Sequence, residues 1–260
     1  MIPVLVALAL YLAAGWLHAR PEARRFERWL PLPALALHVW VLSDHVFRGD
    51  AITIGVNEAV SLFAWQSALL LWALCWREPL RVLGAVVYPF AALALLMAFA
   101  LPTPLSDVTA GDWKARTHIV LSLLSAGLLT LAAVHAGVLA MQERLLHDHR
   151  MTGLMRSLPA LQTMERLLFQ LIAIGFGLLS LTLLSGMWFI RDWLAQHLAH
   201  KTVLSITAWL IFAVLLWGRL RHGWRGRTAI RWTLAGYATL LLAYFGSKLI
   251  LEQILGRHWS

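Results

Sequence analysis

Eight long apolar runs decide what this chain can fold into. Residues 2–18, 30–46, 59–76, 82–101, 119–141, 167–190, 203–218 and 233–251 are almost free of charge. Each is roughly 17–25 residues long, which is what a helix rising 1.5 Å per residue needs to cross a hydrocarbon core of about 30 Å. Neither the alternation of a half-buried strand nor the single stripe of an amphipathic helix describes these runs. Of the 260 residues, 60% are hydrophobic and only 13% are charged, too little polar surface for a water-soluble domain of this size. The expected fold is therefore an all-α membrane bundle of about eight transmembrane helices, forming one integral domain over 1–260. No repeat of fixed period is visible. A cleaved signal peptide explains residues 2–18 poorly, because basic residues follow this run rather than precede it.

The net charge of +9 does not point to nucleic acid, because the basic residues gather in alternate loops. The first loop holds Arg20, Arg24, Arg25 and Arg28; the third Arg77 and Arg81; the fifth Arg144, Arg150, Arg156 and Arg166; the seventh Arg219, Arg221, Arg225, Arg227 and Arg231. The even loops are poorer, with Arg48, then Lys114 and Arg116, then Arg191 and Lys201. The positive-inside rule makes the odd loops cytoplasmic. Both termini are then expected on the periplasmic side of a bacterial inner membrane. The longest connection, 142–166, reads as a short surface helix pair broken near Pro159, while 50–58 and 102–116 read as periplasmic loops. The single cysteine, Cys75, excludes an internal disulfide and a CxxC pair. Among fourteen tryptophans, Trp29, Trp76, Trp113, Trp188 and Trp193 lie near the ends of runs, as an interfacial aromatic belt requires.

Eleven histidines are the main chemical clue, since imidazole in or near lipid needs a partner. His147, His149 and His222 sit in basic loops and are expected to be solvated, and His18 to lie at the interface. His45, His118, His197, His200 and His258 fall at the periplasmic face. Two of them on different helices are able to hold iron from both sides, although capping a helix or bonding a carbonyl fits the spacing more readily. His38 and His45 share one helix face, with Asp44 beside it, and His135 lies deep in the fifth run. These mark either a midplane transport site or hydrogen bonds between helices, the latter favoured. Lys248 and Glu252, four apart, suit an ion pair. No nucleophile–base triad, phosphate loop or paired-carboxylate site is present, so an enzyme is not expected.

The last third carries a resemblance. Residues 201–227 read KTVLSITAWLIFAVLLWGRLRHGWRGR, followed by Tyr244-Phe245-Gly246 and Gly256-Arg257-His258. Together with Thr117-His118-Ile119 opening the fifth run, they resemble the CcsA/CcmC-type cytochrome c assembly proteins, most of all their shorter YpjD-like branch. The resemblance implies a haem-binding or haem-handling protein presenting non-covalent haem b at the periplasmic face. By it, His118 and His258 are the axial ligands, and Trp113, Trp188, Trp193 and Trp259 line the porphyrin faces. Two departures stand out. The loop 191–200 keeps one tryptophan of the family's tryptophan-rich WWD motif, and Trp217 replaces a histidine expected inside the next helix. The alternative reading is a cofactor-free accessory protein assisting another membrane complex such as an ion transporter. Arg225 and Arg227 would then contact a partner protein or membrane lipid.

Overall fold

The computed structural model describes residues 1–20, 25–48, 51–54, 56–101, 106–107, 113–148, 158–189 and 196–246. Among these, each of the eight apolar runs falls in a helix: α1 (Ile2–His18), α2 (Pro31–Val46), α3 (Val56–Leu74), α4 (Gly84–Ala100), α5 (Trp113–His147), α6 (Leu161–Phe189), α7 (Gln196–His222) and α8 (Gly226–Leu241). The architecture is that of an all-α membrane protein. Stretches 81–100, 116–147, 161–188 and 201–222 are each long and apolar enough to cross a bilayer unaided, and α1 and α2 contribute shorter apolar helices.

Two expectations about the connections are corrected. Among the described residues, the 142–166 segment belongs to the ends of two long helices rather than to a short surface pair: α5 runs on through Gln142-Glu143-Arg144 to His147, and α6 begins at Leu161, two residues beyond Pro159. Gln142 to Leu146 are good helix formers with nothing to break them, while Pro159 lacks the N–H that a helix interior needs. The segments expected as loops, 50–58 and 102–116, hold two short strands, β2 (Ala51–Ile54) and β3 (Ser106–Asp107), which join β1 (Phe47–Arg48) at the end of α2. These pair antiparallel in the order β1-β2-β3, with Phe47 opposite Ile52 and Thr53 opposite Asp107. His18, the last residue of α1, is buried among its neighbours at 4% exposed. Its Nδ1 donates to the Ala14 carbonyl at 2.8 Å, satisfying a group at the end of α1.

The chain forms two compact units, the first comprising 1–113 and 141–164, the second 114–140 and 165–260. In the first unit, small residues let helices approach. A side chain at Gly15 would meet Pro89 of α4 at 2.8 Å, and one at Gly84 would meet His18 at the same distance. Val4, Ala7, Val41 and Leu95 form the packed centre. His38 is fully buried and joins three helices: its Nδ1 meets Tyr11 Oη at 3.1 Å and its Nε2 meets Ser61 Oγ at 2.8 Å. The favoured reading of His38, a bond between helices, is the one observed. Arg81 closes the unit at one end, pairing with Glu27 at 2.6 Å and donating to the Leu17 carbonyl at 2.9 Å.

In the second unit, Gly175 of α6 lies where a side chain would strike Leu129 of α5 at 2.8 Å, and Ser125 donates to the Gly175 carbonyl at 3.0 Å. Gly236 of α8 packs as closely on Phe212 of α7, at 2.9 Å. Such small-residue contacts and short hydrogen bonds hold helices together where lipid removes the hydrophobic drive. Gly177, two residues further along α6, faces open space instead. His135 is fully buried in α5. Beyond Leu241 the last helix widens into a π-helical turn, Leu242–Gly246.

Candidate functional site

A cavity of about 520 Å³ opens in the second unit, within the size range of small-molecule and cofactor pockets. His118, near the start of α5, and Ser122, one turn on, form one wall. The C-terminal half of α6 and the N-terminal half of α7 form two more, and Ala243 and Tyr244 of the π turn close the fourth. The exposed lining surface is mostly apolar, although hydroxyl side chains recur around it and His118 and Lys201 belong to it. Because α5 and α7 start here and α6 ends here, the cavity lies at one end of the membrane-crossing stretches.

His118 is held in one tautomer by its neighbours. The Ser185 hydroxyl donates its proton to the Thr182 carbonyl at 2.9 Å. In the 2.9 Å contact between Ser185 Oγ and His118 Nδ1, the imidazole must therefore donate and the hydroxyl accept. A neutral imidazole has one N–H, so Nε2 keeps its lone pair. Histidines that bind metal commonly carry this support, a hydrogen bond from the other ring nitrogen that fixes orientation and raises basicity. Gly186 makes room for the ring: a side chain there would approach His118 Cε1 to 3.2 Å. Ser122 Oγ donates to the His118 carbonyl at 2.7 Å and steadies this turn of α5.

Another wall of the cavity carries a fixed indole. Trp209 of α7 stacks on Phe176, ring centres 5.4 Å apart, and its Nε1 donates to Ser180 Oγ at 2.8 Å. Ser180 donates in turn to the Phe176 carbonyl at 2.9 Å. Trp209 thus offers a flat apolar surface that cannot swing away without losing two contacts. Tyr244 reaches across to the Ser122 carbonyl at 3.4 Å.

The proposed site residues fare differently. His118 lines the cavity. Trp188, at 85% exposed, stands outside its lining, beside Met187, which belongs to it. Trp113 is exposed at the first residue of α5 and belongs to the first unit. His258, Trp193 and Trp259 lie outside the described residues, and of His45, His197 and His200 only the backbone is described, in α2 and α7. Trp217, taken as the replacement for a helix histidine, is 57% exposed and packs on His222 at the far end of α7. Sequence reasoning did not single out Trp209, Ser185, Lys201 or Tyr244 as a wall. Three of them sat inside quoted segments, but their convergence depends on which faces of α6, α7 and the π turn point inward. No cluster of three or more metal-ligating His, Cys, Asp or Glu occurs among the described residues. A tetrapyrrole brings four nitrogen ligands of its own, so one or two imidazoles are enough for it.

Comparison with known proteins agrees on one family. The Cytochrome C assembly protein family matches residues 53–255. Inner membrane protein YpjD of Escherichia coli K12 is 32% identical over 221 residues, covering 85% of this chain and 82% of that protein. Protein HemX of Brevibacillus brevis is 24% identical over 223 residues, 82% of each chain. Cytochrome c biogenesis protein CcsA of Chlamydomonas reinhardtii is 24% identical over 237 residues, covering 86% of this chain and 64% of that one. No solved structure matches.

Proposed function

This chain belongs to the cytochrome c assembly protein family, and from that premise we propose that it is a multi-pass inner-membrane protein that binds and presents non-covalent haem b, with the second-unit cavity as its binding place. The observation that carries the reading is the His118–Ser185 hydrogen bond, 2.9 Å long. It leaves one imidazole nitrogen basic at the wall of a largely apolar cavity whose lining includes the Trp209 indole. An apolar macrocycle wants flat aromatic surface and exclusion of water, and iron wants a neutral imidazole.

In this reading His118 and His258 would hold the haem iron. Trp209 supplies the described aromatic surface, and Trp113, Trp188, Trp193 and Trp259 remain the further aromatic contacts that the resemblance implies. Bound iron would supply only its ligand affinity. The chain's own work is to orient His118 through Ser185, to keep water from the macrocycle, and to release the ligand toward a membrane partner. Two imidazoles holding the iron would suit transfer or storage rather than oxygen chemistry.

The test is a reduced-minus-oxidised spectrum of the detergent-purified protein, expressed with haem supplied. A Soret and α band of bis-histidine type are expected, falling to a small fraction in His118→Ala. A pigment-free wild-type protein, or full haem content in the His118→Ala, His258→Ala double variant, would overturn the reading.

A further inference from the structure

The GWRG element that helped to identify the family has no part in the cavity; it forms the connection between α7 and α8. Gly223 and Gly226 take positive φ, +66° and +49°, so the backbone reverses around Trp224 and Arg225 within a few residues. The turn is tied down on every side. Trp224 N donates to the Gly218 carbonyl at 3.3 Å, and its indole lies directly over Gly218, where any side chain would collide with it. Arg219 donates to the Trp224 carbonyl at 3.1 Å and rests its guanidinium 4.7 Å from the Phe169 ring centre. Glu165, itself buried, accepts from Gly226 N at 2.9 Å and fixes the start of α8 to α6. A row of rings, Trp217, His222, Trp224 and Trp232, spaced 5.0, 6.4 and 5.5 Å apart, runs beside the turn.

This rigid platform holds Arg221, Arg225, Arg227 and Arg231 outward, all exposed. No acidic residue occurs anywhere from position 201 to 251, and the acid that reaches the turn, Glu165, is committed to a backbone amide. A flexible tail would let such charges spread apart. The fixed turn carries Arg225 and Arg227 in and beside the short connection, with Arg221 at the end of α7 and Arg231 in the first turns of α8, so like charges gather at one end of the two helices and an anion among them relieves their repulsion. Beside them α7 exposes apolar surface, Leu220 at 85% and Trp217 at 57%, at the end of a membrane-crossing stretch where acyl chains lie. An anionic phospholipid answers both needs: phosphate among the guanidinium forks, acyl chain along the end of α7.

We propose that the α7–α8 turn is a binding site for the headgroup of an anionic phospholipid, on the membrane face that the arginine asymmetry assigns to the cytoplasm. The lipid pins the end of α7, the helix whose other end lines the cavity.

The full-length protein in non-ionic detergent is mixed with cardiolipin, phosphatidylglycerol or phosphatidylcholine and examined by native mass spectrometry. At least tenfold preference for the anionic lipids is expected. The Arg221→Gln, Arg225→Gln, Arg227→Gln variant should lose that preference, while the Arg77→Gln, Arg144→Gln, Arg166→Gln variant, equal in charge, should keep it. The charge-conserving Arg221→Lys, Arg225→Lys, Arg227→Lys variant covers the case in which the glutamines impair folding. It should bind at least fivefold more weakly, because lysine lacks the two-pronged donor. Equal losses in both glutamine variants, unchanged binding in the lysine variant, or displacement of the lipid by millimolar inorganic phosphate would overturn the site.

Discussion

The hydroxyl of Ser185 accepts the Nδ1 proton of His118 at 2.9 Å while giving its own proton to Thr182. Removing that acceptor leaves the ligand ring free to turn and changes its tautomer balance. Ser185→Ala should therefore lower haem affinity about 10–100-fold, the usual effect of losing a supporting hydrogen bond to a metal-binding histidine. Haem titration followed at the Soret band measures it. Ser185→Thr, which keeps the hydroxyl, should recover most of the loss; equal weakening in both variants would deny the hydrogen bond its role.

Trp209 holds its place by one hydrogen bond and one stacked ring. Trp209→Phe keeps the ring and loses the bond, and is expected to weaken haem binding a few-fold. Trp209→Ala removes the surface as well and should cost about 10-fold or more, on the scale of about 0.5–1.5 kcal/mol for an aromatic pair plus the lost apolar contact. Competitive transfer of haem to apomyoglobin ranks the variants.

His38 offers the opposite expectation. Its two ring nitrogens satisfy Tyr11 and Ser61 inside the first unit. His38→Leu strands two buried hydroxyls, which should reduce stability by about 1–3 kcal/mol per stranded group. Haem content should stay at the wild-type level. A thermal-unfolding curve in detergent together with the pyridine haemochrome assay separates these outcomes, and loss of haem without loss of stability would make His38 a ligand after all.

The glycines of α6 supply an internal control. Gly175→Ala places a methyl group 2.8 Å from Leu129, whereas Gly177→Ala meets nothing within 4 Å. The first change should destabilise by about 1–3 kcal/mol through overpacking. The second should be neutral or slightly stabilising, since alanine favours the helix by up to about 1 kcal/mol. Parallel unfolding measurements decide it, and similar behaviour of the two variants would contradict the packing of α5 on α6.

Much of this architecture was readable from residue order. Length and apolarity fix the eight helices because a bilayer leaves the backbone few other choices. Helix ends were less legible: α5 extends past both limits of its apolar run, since hydropathy marks where lipid stops and not where hydrogen bonding stops. Among the glycines, composition alone could not separate Gly175 from Gly177, two positions that differ only in which way they face. His118 was found through its place at the head of a helix next to a known pattern. Its partner Ser185 was not, because one serine among many polar positions of α6 acquires meaning only when two helices are set side by side. Trp188 and Trp209 show the same blindness in reverse: the first looked well placed by its position at a run's end, yet it is the second, mid-run, whose ring faces the cavity.

The π-helical turn at Leu242–Gly246 amounts to one residue more than a regular spiral would hold, a phase error of about 100° written into the end of the bundle. Deleting a single apolar residue there would leave the hydropathy profile untouched, yet the turn itself would lose its phase against α5. Tyr244 would swing off the wall it shares with Ser122. Angular phase is thus an inherited property of this segment, separate from its greasiness, and relatives that differ in length at this spot should differ in what they hold.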